Sequence, residues 1–384
     1  MYIDKYTLEE MGSNIPCYCF DAAQFKKNIE RFRDIFGPDI KLLFSLKANP
    51  FFMRTALDHA DGIEICSDGE LYLMKRQGAD PSKITYGGIC KEQTDIANAL
   101  RFGVRRFSIE SVTQLARLDE QAAAQGVKVN ALLRLSTKRQ FGMPVQDADK
   151  CIRGLELSNT SVTGLHYYPK TMRMSVEDVG ADYAVFEEML SQINAPCIRE
   201  ISYGAGIGVN YYGESRHWET AKEVAGKMTA LASQFDVTYE AGRLLSADAG
   251  AYIVRVVEVK EKESGSFVVV NGGRHQFAYF GGLVKQGKRV PVMSVIRNRS
   301  DEGDVKTTIV GALCNEADIL ANDIALPRVH EGDFIVFYNA GAYCVTEGMA
   351  LFLSRDIPAV FLTGEGAIEL RRAKCSYEWL EDLY

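Results

Sequence analysis

The sequence predicts an α/β protein, a parallel (β/α)8 barrel followed by an antiparallel β domain, and two changes of rhythm carry that prediction. Between residues 41 and 240, short runs rich in β-branched and aliphatic residues alternate with helical periodicity, eight times over. Beyond Arg243 the pattern becomes strand after strand, separated by turn signals, with hardly any helical periodicity. A chain of 384 residues also exceeds what one hydrophobic core usually organises, so two domains are expected.

The opening segment 17–20 reads as a strand that joins the β domain or stands alone, and an amphipathic helix follows over Ala22–Phe36. Barrel strands are expected at 41–46, 62–67, 84–88, 105–110, 127–135, 162–168, 198–203 and 236–240. Amphipathic helices fall between them at 70–77, 92–102, 112–125, 176–193 and 218–235. The later strands are expected at 251–260, 266–270, 290–296, 307–313, 334–339 and 359–363. The barrel domain is thus bounded at 22–243, and segments 1–21 and 244–384 are assigned to the β domain.

Composition narrows the function. Hydrophobic residues make up 47% and charged residues 25%, which is ordinary globular chemistry. The net charge of -7, without clusters of Lys and Arg among aromatics, offers no footprint for a phosphate backbone, so nucleic acid is not an expected partner. No apolar run approaches the roughly 18 residues of a membrane span, and the charged N-terminus does not read as a signal peptide. A cytoplasmic protein that does not enter the membrane is expected. The nine cysteines are odd in number and form no C-x-x-C pair, which suits reduced thiols. Of five histidines only His166 lies at a strand end, so no metal is expected and a metal-dependent hydrolase is disfavoured.

Barrel chemistry belongs at the carboxyl ends of the strands. The first strand ends at Lys47, where a partly desolvated mouth would make an amine nucleophile available. Taken alone, Lys47 reads first as a solvated lysine at a strand exit. The seventh strand runs into Gly204-Ala205-Gly206 and the eighth into Glu240-Ala241-Gly242-Arg243. Glycines let backbone amides approach an anion and arginine adds bidentate capture, so a phosphate cradle is one reading and tight turns are the other. A carboxylate such as Glu240 favours protonation of a neighbouring pyridine nitrogen, and a pyridinium is the electron sink that a carbanion beside nitrogen requires. Lysine, cradle and carboxylate converge on one rim.

These residues resemble the fold type III pyridoxal 5'-phosphate decarboxylases, the group of ornithine, arginine and diaminopimelate decarboxylases. The marks are Ser45-Leu46-Lys47-Ala48-Asn49, Gly62-Ile63-Glu64-Ile65-Cys66-Ser67 with Gly69-Glu70, Gln140-Phe141-Gly142, Gly204-Ala205-Gly206, Glu240-Ala241-Gly242-Arg243, Cys314 with Asp318, and Gly341-Ala342-Tyr343, in family order along almost the whole chain. The resemblance implies the alanine racemase-like architecture of barrel and β domain. It implies that Lys47 forms the Schiff base with the cofactor and that Glu240 pairs with the pyridine nitrogen. It further implies that Gly204, Gly206, Arg243 and Tyr343 hold the phosphate, with Glu64 and Gly242 also among the cofactor contacts. Family members are homodimers with shared active sites, in which Cys314 and Asp318 would enter the partner's site. Cys314 would then deliver or position a proton for the carbanion left by carbon dioxide, and Asn315 and Asp318 would face the substrate.

Several departures bear on chemistry. Where the family usually has His-x-His-x-Gly-Ser, this chain reads His166-Tyr167-Tyr168-Pro169-Lys170-Thr171. Tyr168 can stack on the cofactor ring in place of imidazole, Thr171 can serve as the hydroxyl donor to phosphate, and Lys170 replaces a glycine, which puts the local turn in question. Asn315 stands where ornithine decarboxylases carry an aspartate, which disfavours a simple diamine precursor. Asn271-Gly272-Gly273-Arg274-His275-Gln276 lacks the arginine-proline segment of diaminopimelate decarboxylases. The pattern is most similar to a subgroup of specialised biosynthetic pathways that includes the butirosin-pathway decarboxylase of a carrier-tethered glutamyl group. Arg274, Lys285 and Lys288 are candidate contacts to such a carrier's acidic surface. Decarboxylation of a free amino acid (diaminopimelate, ornithine, lysine or arginine), a racemase and a non-catalytic regulatory homologue remain the alternatives. Glu240 argues against the racemase, which usually places arginine at the ring nitrogen.

Overall fold

The computed structural model describes residues 3–136, 139–193, 195–278, 290–297, 303–349, 352–364 and 367–372. They form two compact units, one of Asn28–Val209 with Arg216–Leu244 and one of Met1–Lys27 with Asn210–Ser215 and Leu245–Tyr384.

The first unit is a closed barrel of eight parallel strands, Ile40–Ser45, Gly62–Ile65, Ile84–Tyr86, Arg106–Ile109, Val129–Arg134, Thr160–Tyr167, Glu200–Tyr203 and Asp236–Ala241. The last closes on the first with Leu43 opposite Glu240 and Phe44 opposite Ala241. Strands covered on both faces carry near-continuous apolar runs, as in Ile40–Ser45, where only Lys41 is exposed. The strands end about where expected, with local causes for the differences. The second stops at Ile65 because Ser67 already caps the next helix, its hydroxyl accepting the amide of Glu70. Ser111 and Ser175 cap Val112–Ala124 and Val176–Ser191 in the same way. The helices' apolar faces pack on the barrel, and Tyr167 meets Phe186 with ring centroids 5.1 Å apart. Two further helices escaped the periodicity argument. Met53–His59 has only seven residues, and Val145–Arg153 buries only Ala148 and Cys151.

The second unit holds a nine-stranded sheet made of Cys17–Asp21, Gly250–Lys262, Gly265–Val270, Met293–Ile296, Asp304–Val310, Ile319–Pro327, Phe334–Tyr338, Ala359–Gly364 and Ala367–Arg372. Most pairs are antiparallel, as expected. The opening strand joins this sheet, antiparallel to Gly250–Lys262 and parallel to Ala359–Gly364, and Gly265–Val270 runs parallel to Asp304–Val310. Two strands were not foreseen. Ile319–Pro327 contains Asp323 at φ 54°, which breaks the alternation, and Ala367–Arg372 is short and half charged. Cys17, Cys19, Ala251, Ile253, Val336, Ala359 and Phe361 form the core, with Leu8 and Met11 from the helix Lys5–Met11. Burial pushes the Cys19 thiol up to about 12, so this cysteine is packing material, not chemistry. Among the described residues no helix is long and apolar enough to cross a membrane.

Candidate active site

Lys47 follows the first barrel strand in the turn Leu46–Ala48, whose flanking side chains are buried. Anchoring both neighbours in the core turns the lysine outward to the rim, with its side chain 45% exposed. Its Nζ donates to both carboxylate oxygens of Glu64, at 3.0 and 2.9 Å, and lies 3.3 Å from Cys66 Sγ. Glu64 stands on the adjacent strand, opposite Ser45 in register, and its side chain is buried. Burial, reinforced by the negative charge of Glu64, pushes the Cys66 thiol well up, so it stays protonated beside the amine.

Glu240 projects from the eighth strand. Ser202 Oγ donates to its Oε1 at 2.7 Å, and His166 Nε2 lies 3.3 Å from its Oε2. His166 Nδ1 in turn lies 2.6 Å from Ser108 Oγ. Burial alone would push this carboxyl up. The charge of His166 at 3.3 Å, the Ser202 hydroxyl and the charge of Lys47 outweigh it and hold Glu240 well below the usual carboxylate range. Glu240 is therefore an anion near neutrality.

The loops after the sixth and seventh strands interlock. A Cβ on Gly204 would strike the ring of Tyr168, and the Cβ of Glu240 lies beyond it at 3.5 Å. Gly206 has φ 63°, and a Cβ there would overlap the Lys170 carbonyl oxygen and crowd Thr171. The two loops are tied by Arg173 N donating to Gly206 O and Gly208 N donating to Arg173 O, at 2.9 and 2.8 Å. Tyr168 and Thr171 are thus brought against Gly204 and Gly206, and the turn at Lys170 is formed despite the missing glycine. Gly206→Ala should cost about 1–3 kcal/mol in backbone strain alone and loosen the cradle. Thermal unfolding and cofactor titration of this variant check both effects. Gly242 and the buried Arg243 follow directly after the eighth strand.

Sequence reasoning missed three buried groups at this rim. Lys91 Nζ donates to Gln114 Oε1 at 3.1 Å and to the Gly88 carbonyl, and burial pushes its amine down to about 8. Glu110 accepts from Arg134 Nη1 and from Gly142 N, each at 2.6 Å, which pins the Gln140-Phe141-Gly142 segment to the barrel. Ser108 was invisible because a single serine inside an apolar strand carries no signal. A lysine following Gly87 and Gly88 at a strand exit was the available clue to Lys91.

The remaining candidates lie on the β unit. Cys314 and Asn315 are exposed in one turn, where Asn315 Oδ1 accepts the Ala317 amide at 2.9 Å. Asp318, expected to face the substrate, is instead 3% exposed, with Oδ1 accepting from Arg274 N and Oδ2 from Leu313 N at 2.7 and 2.8 Å. Its carboxylate occupies the space that a side chain on Gly273 or Gly311 would need. The reason is local: an acid that satisfies two buried backbone amides is a clasp for the Cys314 turn. Asp318→Asn should leave one amide poorly paired and cost about 1–3 kcal/mol, to be read from denaturant unfolding. Arg274, expected on a charged surface, is also buried, donating from Nη1 to Ala317 O at 2.6 Å. Lys285 and Lys288 lie outside the described residues. Tyr343 adopts φ 67°, and its carbonyl accepts from Thr346 N and Glu347 N at 3.0 and 2.9 Å.

Residues 17–341 match the family model of the pyridoxal-dependent decarboxylase, C-terminal sheet domain. The chain is 26% identical to the diaminopimelate decarboxylase of Aquifex aeolicus, over 99% of this chain and 94% of that one. It is 27% identical to the L-glutamyl-[BtrI acyl-carrier protein] decarboxylase of Niallia circulans, over 94% and 91% of the two chains. Its fold matches the crystal structure of diaminopimelate decarboxylase from Helicobacter pylori with a TM-score of 0.86, covering 99% of both chains at 21% identity. The barrel rim fits pyridoxal phosphate. It offers an accessible amine, a buried carboxylate held as an anion, and a glycine cradle in which a Cβ would fill the space. The chain therefore belongs to the pyridoxal-dependent decarboxylase family and is a pyridoxal-phosphate-dependent carboxy-lyase.

Proposed function

We propose that the chain decarboxylates an amino acid or aminoacyl substrate of a specialised biosynthetic pathway, carried on a carrier protein. The observation that carries the placement of the chemistry is the convergence of Lys47, Glu64 and Glu240 at one end of the barrel. Lys47 is the amine that anchors the cofactor's aldehyde, and Glu64 holds its Nζ at the rim. When bound, pyridoxal phosphate supplies an electron sink conjugated to the substrate's α-carbon. Glu240, as a fixed anion, holds a proton on the ring nitrogen. Tyr168 offers an aromatic face to the ring, and Thr171, Gly204, Gly206, Gly242, Arg243 and Tyr343 bind the phosphate.

Within this reading residues 22–243 are the cofactor-binding domain, and 1–21 with 244–384 make the β domain. Cys314 from the β domain of a homodimer partner protonates the α-carbon after carbon dioxide leaves. Asn315 meets the distal end of the substrate, and Asp318 acts through the turn that it clasps. A neutral Asn315 supports a substrate whose distal end lacks a free amine, and likeness to a decarboxylase of a carrier-bound glutamyl group supports the tethered form. The cytoplasm is the matching compartment, since no described cysteine is in a disulfide.

The test is carbon dioxide release from free amino acids and from carrier-loaded aminoacyl groups. Preference for the loaded carrier is expected; faster release from free diaminopimelate or ornithine would favour the free-substrate alternative. Cys314→Ala should leave cofactor absorbance unchanged and lower turnover or its fidelity on the order of a hundredfold. Unchanged kinetics would remove Cys314 from the site.

A further inference from the structure

We infer that His166 is a positioning residue for the decarboxylation, wedged between Ser108 and Glu240 so that it fixes the direction of the carboxylate and keeps it charged. The inference rests on the reading of Glu240 as partner of the cofactor's ring nitrogen.

In a (β/α)8 barrel, alternate strands contribute side chains to one interior layer. Here the second, fourth, sixth and eighth strands contribute Glu64, Ser108, His166 and Glu240. Such a layer is ordinarily filled by branched aliphatics. All four residues are buried, so each must find its partner inside the barrel. Glu64 meets Lys47. The other three form a chain, from Ser108 Oγ to His166 Nδ1 at 2.6 Å and from His166 Nε2 to Glu240 Oε2 at 3.3 Å. Ser202, paired with His166 in strand register, occupies the other carboxylate oxygen at 2.7 Å.

Each contact constrains the next. A hydroxyl can donate or accept, so Ser108 suits either form of the ring that presents an Nε2–H to Glu240. In the neutral ring, Ser108 donating to Nδ1 selects that tautomer; in the imidazolium, Ser108 accepts instead. Either way one carboxylate oxygen faces His166 and the other faces Ser202. The Ser202 hydrogen bond and the imidazole at ion-pair distance together bias the carboxylate plane toward one direction. A histidine that merely filled space would need neither nitrogen directed at a polar partner.

The test uses the holoenzyme carrying pyridoxal phosphate labelled with nitrogen-15 in the ring, and reads that resonance near neutral pH. In the unaltered protein it lies at the protonated-pyridine position. In His166→Leu it is expected to move toward the unprotonated position, with kcat falling on the order of tenfold to a hundredfold and KM changing less. His166→Asn, which can still present an N–H, should recover part of the shift. Ser108→Ala should move the resonance the same way by a smaller amount, and it carries the test if His166→Leu fails to fold. The inference is overturned if both variants keep the original resonance while Glu240→Gln moves it. An unmoved resonance in Glu240→Gln would instead overturn the underlying reading of Glu240.

Discussion

Lys47→Ala is expected to lose the visible absorbance of the lysine-bound cofactor and to lower turnover on the order of a thousandfold or more. The loss of turnover is chemical, but a loss of stability accompanies it, because Glu64 is buried and Lys47→Ala leaves its carboxylate without the cation it faces. The glycine cradle and Arg243 follow the seventh and eighth strands, so the phosphate grip should persist and the cofactor should still bind, without its covalent link. Lys47→Arg sharpens the comparison, since it keeps a cation beside Glu64 but offers no amine able to condense. Absorbance, cofactor titration and carbon dioxide release on the two variants separate charge from chemistry. If Lys47→Arg turned over like the unaltered enzyme, the ion pair and not the amine would be the function of this position.

Glu240→Gln should lower kcat on the order of a hundredfold or more while weakening cofactor binding far less. Glutamine preserves shape and can still accept from Ser202 Oγ, so what is removed is the negative charge opposite His166. The same charge links stability to pH. The folded protein holds Glu240 below the ordinary carboxylate range, so its contribution is fully present above about pH 4 and is lost as pH falls toward the folded value. The unaltered protein should accordingly be more stable than Glu240→Gln at neutral pH, and the gap should narrow in acid. Denaturant unfolding of both proteins across a pH series reads the difference. A gap that widened in acid would contradict the sign.

Much of this was legible in sequence for physical reasons. Continuous apolar runs and helical patterns report burial directly, so every barrel strand was found. The glycines at 204 and 206 were conspicuous because a side chain would strike Tyr168 or the Lys170 carbonyl. Contacts made across the barrel were not legible. Ser108, His166 and Glu240 are separated by dozens of residues and meet only through closure of the barrel, so nothing in the sequence linked them. Asp318 read as a substrate contact because its spacing from Cys314 matched a family motif, whereas its partners are the backbone amides of Arg274 and Leu313. Motif spacing names a residue; only the fold shows which way its oxygens face.

Two amines sit at the barrel rim, the half-exposed Lys47 and the buried Lys91, whose amine burial pushes down to about 8. Borohydride reduction of the holoenzyme, followed by peptide mapping by mass spectrometry, distinguishes them. The phosphopyridoxyl group should be found on the peptide that contains Lys47. Its recovery on Lys91, or on no lysine, would contradict the assignment of the cofactor's anchor.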